Sequence, residues 1–345
     1  MAELRDTLER LLNRQDLAEP EAAGLLVALT DPAMPPAMAG AMLAALRSKG
    51  LTADEVRGFA SAMRKLARRP SLPAVGPTVD IVGTGGDASG SFNISTGASL
   101  LSAALGARVV KHGNRSVSSR SGSADLLECL GLPLPLDEKR AGECLAATGF
   151  TFLFAPHYHP AMKEVAPVRR ALGVRTVFNL LGPLTNPAAP PFGLIGAYSR
   201  DAAKLMADTL AGMPIERVFV VHGEPGWDEP TPCGPFELYD VRPGRVERTE
   251  RDPLAYGLRR CAPADLAGGD AAHNAVALRA VFAGEDRGAH RDALVLNAAL
   301  VLEVTGAVAD PRAAIDAAQS ALDRGDGLRL LERLAAFGTT TREAS

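Results

Sequence analysis

In residues 1 to about 69, apolar side chains recur every three or four positions, and this spacing is typical of helices. Pro35 and Pro36 open a helical run that stops at Gly50, since proline suits the first turn of a helix and glycine its end. Thr52 and Glu55 have the spacing of a capping box, in which each covers a free N–H group of the next helix. The pattern therefore predicts a small all-helical domain.

Beyond a stretch rich in proline and glycine at 70–77, short apolar strands alternate with helices. This alternation is typical of a largely parallel sheet with helices on its faces. One hairpin is predicted at 236–249, and helices follow from about 271. The other strands are predicted at 79–82, 108–110, 151–154, 194–197 and 217–221. The fold class is therefore α/β: a helical domain over 1–70 and a larger α/β domain with a mostly parallel central sheet over 71–345. A segment near 160–190 is expected to pack with the first domain.

Composition and charge exclude several classes of protein. Apolar residues make up 47% and charged residues 22% of the 345 positions, the balance of a globular protein with a large core. The net charge of −3 gives no support to a protein that binds nucleic acid or a membrane surface. No apolar run reaches the roughly 18 residues that a membrane span needs. The four cysteines are scattered, so we expect no zinc site, no disulfide framework and a cytoplasmic location.

A glycine-rich segment, Gly83 to Thr96, follows the first predicted strand and reads GTGGDASGSFNIST. Glycines let the backbone approach an anion closely, and the helix that follows offers free N–H groups at its positive end. The segment matches neither the dinucleotide-binding pattern nor the P-loop. Because Asp87 would repel a bare phosphate, a sugar hydroxyl or a metal-bound group suits it better. A tight turn with a cluster of helix-capping side chains is the alternative.

A second polar segment, Lys111 to Asp125, also lies between a strand and a helix and reads KHGNRSVSSRSGSAD. Its cations and serines suit a multiply charged phosphate ligand. Taken alone, the segment could equally be a solvated basic loop. Ligands of open α/β sheets bind at the carboxyl ends of the strands, so two such segments after successive strands favour a phosphate site.

Asp228 and Glu229 are adjacent acids on a loop that follows the strand predicted at 217–221. Two such carboxylates can share a hard cation such as Mg2+, which pairs readily with substrate phosphates. Two solvated acids in a turn are the alternative. Four further side chains are candidate acid–base groups, although each can also be structural: His112, His157, His159 and His222.

Taken together, Gly83–Asp87, Asn93–Thr96 and Lys111–Ser119 resemble the anthranilate phosphoribosyltransferases. The resemblance covers nearly the whole chain and continues, in the family's order, through His159–Met162, Arg175–Pro187, Val221–Gly223 and Gly268–Asp270. It implies a small helical domain used for homodimerisation, a larger α/β domain and an active site in the cleft between them. It also implies transfer of phosphoribose from 5-phosphoribosyl 1-diphosphate (PRPP) to the amino group of anthranilate in tryptophan biosynthesis, with Mg2+ accompanying the diphosphate.

The resemblance also implies roles for individual positions. The residues expected to contact PRPP are Gly83, Gly86, Asp87, Ser91, Asn93, Ile94, Ser95, Thr96, Lys111, His112, Gly113, Asn114, Arg115, Ser116, Val117, Ser118, Ser119 and Ser123. The residues expected to hold Mg2+ are Ser95, Asp228 and Glu229. The residues expected to bind anthranilate are Gly83, Asn114 and Arg169, with His112 and His159 on the path that it takes. No general base is assigned, because the aromatic amine is a weak base that needs little deprotonation before attack.

One segment departs from the family pattern, since Pro230–Pro235 reads PTPCGP and carries two extra prolines that stiffen the predicted metal loop. Two other functions stay open. A pyrimidine nucleoside phosphorylase-like enzyme shares the fold and a related glycine loop, although the Lys111–Ser119 run and the two adjacent acids argue against it. A non-catalytic relative that binds nucleic acid is the other, and the net charge of −3 argues against that.

Overall fold

The computed structural model describes residues 2–74, 76–115 and 120–343. Its N-terminal part consists of helices α1 (Ala2–Leu12), α2 (Glu19–Leu29), α3 (Pro36–Lys49) and α4 (Ala53–Leu66). As predicted, α3 begins at Pro36 and ends before Gly50. The capping box of α4 also forms: the Thr52 hydroxyl accepts the Glu55 N–H at 3.3 Å, and the Glu55 carboxylate accepts the Thr52 N–H at 3.0 Å.

The remainder of the chain builds a seven-stranded sheet with the order β3-β2-β1-β4-β5-β6-β7. Its strands are β1 (Val79–Gly83), β2 (Val109–Gly113), β3 (Phe150–Phe154), β4 (Phe192–Gly196), β5 (Arg217–Gly223), β6 (Phe236–Arg242) and β7 (Arg245–Arg251). The first five strands are parallel, whereas β6 and β7 pair antiparallel. The predicted α/β fold with a mostly parallel sheet is therefore confirmed, including the hairpin of β6 and β7.

Helices cover both faces of this sheet. They are α5 (Ile94–Ala104), α6 (Ser123–Cys129), α7 (Glu138–Thr148), α8 (Ala155–Tyr158), α9 (Met162–Leu172), α10 (Phe178–Leu184), α11 (Arg200–Ala211), α12 (Ala271–Phe282), α13 (Ala289–Val304), α14 (Pro311–Asp323) and α15 (Asp326–Glu343). No helix in the described ranges is long and apolar enough to cross a membrane.

Each face of the sheet has its own hydrophobic core. One core contains side chains of α5–α7 and α12–α15, and the other contains side chains of α9–α11 and of the four N-terminal helices. Helix α3 contacts α9, and α4 contacts α10 and α11. The Arg64 guanidinium also donates to the Leu184 carbonyl oxygen at 2.9 Å. The N-terminal helices are thus joined to the α/β part through α9–α11, whereas a domain boundary at residue 70 stays a prediction.

Candidate active site

The carboxyl ends of β1, β4 and β5 meet at one edge of the sheet, because these strands are parallel neighbours. Each ends in a glycine that has no room for a side chain. A Cβ on Gly83 would lie 2.4 Å from Asp228 Oδ2, and one on Gly196 would lie 1.5 Å from the Asp228 carbonyl oxygen. A Cβ on Gly223 would lie 2.4 Å from the Glu229 carbonyl oxygen. The loop after β5 therefore lies directly on the strand ends, the edge at which α/β sheets bind ligands.

Asp228 is buried against the glycine-rich segment. Its Oδ2 atom accepts the Gly85 N–H at 2.6 Å and lies 3.4 Å from Thr84 Oγ1. The N–H of Asp228 donates to Asp87 Oδ2 at 3.2 Å. Burial, together with the nearby Asp87 carboxylate, raises the pKa of Asp228 to about 7. The site therefore holds a carboxylate that a bound cation would stabilise in its charged form.

Glu229 lies against the first turn of α5. Its Oε1 atom accepts the Ser95 N–H at 2.9 Å, and Oε2 lies 3.4 Å from Ser91 Oγ. The N-terminal turn of a helix favours negative charge, because its N–H groups have no partners within the helix. Burial and the Asp228 carboxylate nevertheless raise the pKa of Glu229 to about 8. The two predicted metal-binding carboxylates thus lie together on backbone N–H donors.

Lys111 provides the positive charge beneath this pair. Its side chain is buried, its ammonium donates to a carbonyl oxygen of β1, and it lies 3.4 Å from Ser95 Oγ. Burial lowers the pKa of Lys111, whereas the carboxylates of Asp80, Glu229 and Asp228 favour the charged ammonium. Ser95 and Lys111, both expected to contact PRPP, are therefore brought to the carboxylate pair.

Asp80 supports this arrangement and was not identified from the sequence. It is the second residue of β1 and is buried, and its Oδ1 accepts the His112 N–H at 3.2 Å while its Oδ2 accepts Asn186 Nδ2–H at 2.8 Å. Burial raises the pKa of Asp80 to about 6, and the charge of Lys111 acts in the opposite direction. The sequence feature that could have indicated Asp80 is a single acid within the apolar strand VDIVG. A buried charge needs a partner, so an acid at such a position points to a polar or charged neighbour.

Hydrogen bonds join the glycine-rich segment to the second polar segment. Asn93 Nδ2 donates to the Ser121 carbonyl oxygen at 3.2 Å, and Thr96 Oγ1 donates to Ser123 Oγ at 3.0 Å. Asn93 Oδ1 accepts Asn274 Nδ2–H at 2.7 Å. Asn93, Thr96 and Ser123 are therefore brought together, as a shared ligand requires. Asn274 was not predicted as part of the site, because it lies 181 residues from Asn93 along the chain.

Arg175 holds the turn of the glycine-rich segment. Its guanidinium donates to the Gly86 carbonyl oxygen and lies 4.0 Å from the centroid of the Tyr198 ring. Inside the turn, Ser89 Oγ donates to Asp87 Oδ1 at 3.0 Å and lies 3.1 Å from Ser91 Oγ. Two further predicted PRPP contacts are Ile94, buried at the start of α5, and Gly113, at the end of β2.

Arg115 is paired with α6. Its Nη1 atom lies 2.8 Å from Asp125 Oδ1 and 2.6 Å from Glu128 Oε2. Asn114 Oδ1 accepts the Arg115 N–H at 2.7 Å. The Arg115 guanidinium is thus already neutralised by acids of α6 in this structure. A contact between Arg115 and PRPP stays a prediction. The predicted positions Ser116, Val117, Ser118 and Ser119 lie outside the described residues.

His112 and His159 lie edge to face, with ring centroids 5.0 Å apart. His112 Nδ1 lies 3.1 Å from the Gly182 carbonyl oxygen, so Nδ1 carries the proton. His112 Nε2, which has no partner within the described residues, is left as an acceptor. Burial lowers the pKa of His112 to about 3 and that of His159 to about 4. Both rings are therefore neutral near pH 7 and are weak bases.

Arg169 lies on α9 and is half-buried. Its guanidinium carbon lies 5.2 Å from the centroid of the Phe178 ring. Burial lowers the pKa of Arg169, and no carboxylate pairs with it in the ranges that the structure covers. A guanidinium beside an aromatic ring and without an ionic partner suits a ligand that is both aromatic and anionic.

A His112→Asn/His159→Asn variant is expected to be less sensitive to acid than the wild type. Unfolded histidines bind protons below about pH 6.5, whereas the lowered pKa values keep these two neutral in the folded chain. Unfolding therefore takes up protons between about pH 6.5 and 4, so each histidine destabilises the fold as the pH falls, by about 1–2 kcal/mol at pH 5. Melting temperatures at pH 7 and pH 5 measure this, with exposed His273→Asn as the control. An equal drop in the double variant and the wild type contradicts it.

The donor atoms at the sheet edge fit Mg2+. This ion prefers oxygen ligands and is usually bound through one or two carboxylates, water and substrate phosphate. Asp228, Glu229 and the Ser95 hydroxyl supply oxygen atoms, and the two carboxylates lack a cationic partner at ion-pair distance in the described ranges. No three His, Cys, Asp or Glu side chains within residues 2–74, 76–115 and 120–343 form a complete metal cage. The arrangement therefore fits a metal that is completed by its substrate.

Comparisons with known proteins cover both parts of the chain. The family model described as "Glycosyl transferase family, a/b domain" matches residues 75–328, and the one described as "Glycosyl transferase family, helical bundle domain" matches residues 5–67. The anthranilate phosphoribosyltransferase of Rubrobacter xylanophilus is 44% identical over 330 residues, which are 96% of this chain and 96% of that protein.

Solved structures agree with these matches. The anthranilate phosphoribosyltransferase of Thermus thermophilus superposes with a TM-score of 0.90 at 41% identity, over 97% of this chain and 99% of that one. The enzyme from Saccharomyces cerevisiae, in complex with PRPP and Mg, gives a TM-score of 0.89 at 27% identity over 98% of each chain. Since the similarity spans the helical and the α/β part alike, the chain belongs to the anthranilate phosphoribosyltransferase family.

Proposed function

We propose that the chain transfers the phosphoribosyl group of PRPP to the amino group of anthranilate, with Mg2+ as cofactor. The products are N-(5-phosphoribosyl)anthranilate and diphosphate, and the reaction belongs to tryptophan biosynthesis. The observation that carries the proposal is the meeting of Asp228 and Glu229 with the glycine-rich segment and the first turn of α5. This edge places oxygen ligands for a hard cation beside a glycine-rich turn and a helix N-terminus, which favour an anion, and magnesium diphosphate requires both.

The residues of the sheet edge bind and neutralise the diphosphate. Magnesium, when bound, neutralises part of its charge and so makes it a better leaving group. Asp228, Glu229 and Ser95 would hold the ion. The Lys111 ammonium, which the charge of Asp80 favours against its burial, adds positive charge beside Ser95. The N–H groups of the glycine-rich segment and of α5 orient the phosphates, so that positioning and charge supply most of the catalysis.

The other half of the site serves anthranilate. Arg169 binds its carboxylate, and the unpartnered Nε2 of His112 accepts a hydrogen bond from its amine. The nitrogen lone pair attacks the anomeric carbon of ribose as the bond from that carbon to diphosphate breaks, with inversion and oxocarbenium character. The secondary ammonium that forms is strongly acidic and passes its proton to water or to the departing diphosphate, so no strong base is needed. The low pKa of His112 is consistent with this role, because the ring stays an acceptor.

Anthranilate fluorescence tests the reaction. With enzyme, PRPP and Mg2+ together, the fluorescence is expected to fall as the amine becomes ribosylated, and omission of any one component is expected to abolish the change. Mass spectrometry of the mixture identifies the product, and its anomeric configuration shows whether inversion has occurred. Unchanged fluorescence with folded enzyme, or phosphate-dependent cleavage of a pyrimidine nucleoside, would support a phosphorylase instead. Retention of configuration would refute the displacement.

Arg169→Ala is expected to separate the two substrates. Loss of a charge-assisted contact to the anthranilate carboxylate costs about 1.5–3 kcal/mol, so the KM for anthranilate should rise about 10- to 100-fold. The KM for PRPP should change less than about twofold. Arg170→Ala is the matched control, since the adjacent side chain is exposed on the same helix. Equal effects of Arg169→Ala on both KM values would contradict the assigned role.

The chain is further proposed to act as a cytoplasmic homodimer that associates through its helical part. Large apolar side chains are exposed at the end of α1, on α2 and just after α9, namely Leu12, Val27 and Val174. Since α3 contacts both α1 and α9, two of these elements flank one helix. Sedimentation equilibrium is expected to give twice the chain mass, and a monomer across the micromolar range would contradict the proposal.

A further inference from the structure

Two cysteines from distant parts of the α/β domain lie side by side. Cys233 Sγ and Cys261 Sγ are 3.5 Å apart, although 28 positions separate them in the sequence. Both residues are partly exposed, so a small molecule can reach them. Cys129 is exposed and Cys144 is buried, and within the described ranges neither has a second thiol beside it. A disulfide bond measures about 2.05 Å, so the two sulfur atoms need to approach by only about 1.5 Å.

We propose that Cys233 and Cys261 form a reversible disulfide that modulates binding of the PRPP–magnesium complex. A low-molecular-weight disulfide, such as oxidised glutathione, is the oxidant. One cysteine thiolate attacks it and forms a mixed disulfide with release of one thiol. The second cysteine then attacks the first sulfur and releases the other thiol. The two cysteines lose two electrons and two protons in total, and the oxidant gains them as two thiols.

Cys233 lies on the loop that carries the proposed metal ligands. It is four residues after Glu229 and is separated from it by Pro230 and Pro232. This loop is held at both sides, because Asn297 Nδ2 donates to the Pro230 carbonyl oxygen at 2.9 Å and the Glu224 N–H donates to the Pro235 carbonyl oxygen at 3.0 Å. A stiff and anchored loop transmits a pull at Cys233 rather than absorbing it.

Cys261 lies on the segment that supports the glycine-rich loop from the other side. The Phe92 N–H donates to the Leu266 carbonyl oxygen at 2.9 Å, and the Gly268 N–H donates to the Gly90 carbonyl oxygen at 2.9 Å. Residues 259, 260 and 262–265 are exposed, so this segment is the freer of the two. We therefore expect a bond between the cysteines to displace either the loop that carries the metal ligands or the segment that supports the glycine-rich loop.

Both steps of the exchange need a thiolate. Burial, and contact with Cys233, raise the pKa of the Cys261 thiol to about 12, so mild alkaline pH should accelerate formation of the bond. Formation of the bond depends on the cysteine geometry alone, whereas its effect on PRPP depends on the function proposed above.

The experiment treats the protein with oxidised or reduced glutathione and makes two measurements, each repeated after treatment with dithiothreitol. Peptide mapping is expected to find the Cys233–Cys261 bond after oxidation. Calorimetry with PRPP and Mg2+ is expected to show at least fivefold weaker binding, and dithiothreitol is expected to reverse both changes. Cys233→Ser and Cys261→Ser should each abolish the response, whereas Cys129→Ser should retain it.

Three results would overturn the proposal. They are absence of the bond under oxidation, persistence of the binding change in Cys233→Ser, and a mapped bond that leaves the affinity for PRPP unchanged. Failure of the reduced wild-type protein to bind PRPP is a different result, because it refutes the proposed function. Peptide mapping would still test whether the disulfide bond forms.

Discussion

Asp228→Asn is expected to lower kcat/KM by about 1,000-fold, which corresponds to about 4 kcal/mol of transition-state stabilisation. The amide has the shape of the carboxylate but no negative charge, so it neutralises Mg2+ poorly. The fold should not suffer. Asp228 is buried and its pKa is raised, so its charge destabilises the metal-free chain. The amide oxygen can still accept the Gly85 N–H, and the melting temperature should therefore be unchanged or higher.

The combination of lost activity and retained stability distinguishes a metal ligand from a structural acid. Steady-state kinetics at several Mg2+ concentrations and thermal unfolding without metal measure the two quantities. Asp208→Asn on α11 is the control, because that carboxylate is partly exposed and pairs only with Lys204 in the described residues. Activity near the wild-type level in Asp228→Asn, or activity lost together with a lower melting temperature, would contradict the assignment.

Gly196→Ala is expected to produce the second-largest effect, although position 196 carries no side chain that could touch a substrate. The added Cβ would lie 1.5 Å from the Asp228 carbonyl oxygen and 2.6 Å from its carbonyl carbon. Backbone atoms cannot rotate away, so the loop must move. A displacement of about 1 Å at a catalytic group can cost about 100-fold in rate, and overpacking lowers stability by about 1–3 kcal/mol.

Gly193→Ala is the matched control for this variant. It lies on the same strand, and its added Cβ would meet Val218 at 3.5 Å, an ordinary van der Waals contact. We expect near-normal kinetics from Gly193→Ala and at least about 100-fold lower kcat/KM from Gly196→Ala. Equal kinetics in the two variants would show that the loop after β5 does not need its observed position.

Local sequence patterns predicted the elements on which the site is built. The strand expected at 79–82 is Val79–Gly83, and the hairpin expected at 236–249 is formed by Phe236–Arg242 and Arg245–Arg251. β1 and β6 have strong local signals, because each is an apolar run bounded by glycine or proline, and β7 is indicated by the turn at Pro243 and Gly244. The adjacent acids at 228–229 were also found, because two phosphate-type segments after neighbouring strands favoured a metal loop over two solvated acids in a turn.

Contacts that depend on strand order could not be predicted in this way. Gly196 and Asp228 meet only because β4 lies between β1 and β5. The partners Asn93 and Asn274 come from segments 181 positions apart. Arg115 can pair either with the acids of α6 or with a ligand, and the spacing of residues in the sequence does not show which partner it takes. The roles of these residues toward substrate stay predictions for the same reason.

The nearness of Cys233 and Cys261 likewise could not be predicted from the sequence. Four scattered cysteines gave no framework, and no two of them had a characteristic spacing. Their meeting follows from the packing of the segment after β7 against the loop before β6. The expectation of no disulfide framework therefore describes the spacing correctly, but it did not anticipate one close thiol pair.

Asp228 and Glu229 are proposed to hold the metal that accompanies PRPP, and the proposed reaction depends on this site. Crystals grown with PRPP and Mn2+ in place of Mg2+ test it through anomalous diffraction. We expect a manganese peak at about 2.2 Å from carboxylate oxygens of both residues, with a PRPP phosphate oxygen completing the site. A peak elsewhere, with Asp228 still on the Gly85 N–H and Glu229 still on the Ser95 N–H, would contradict it.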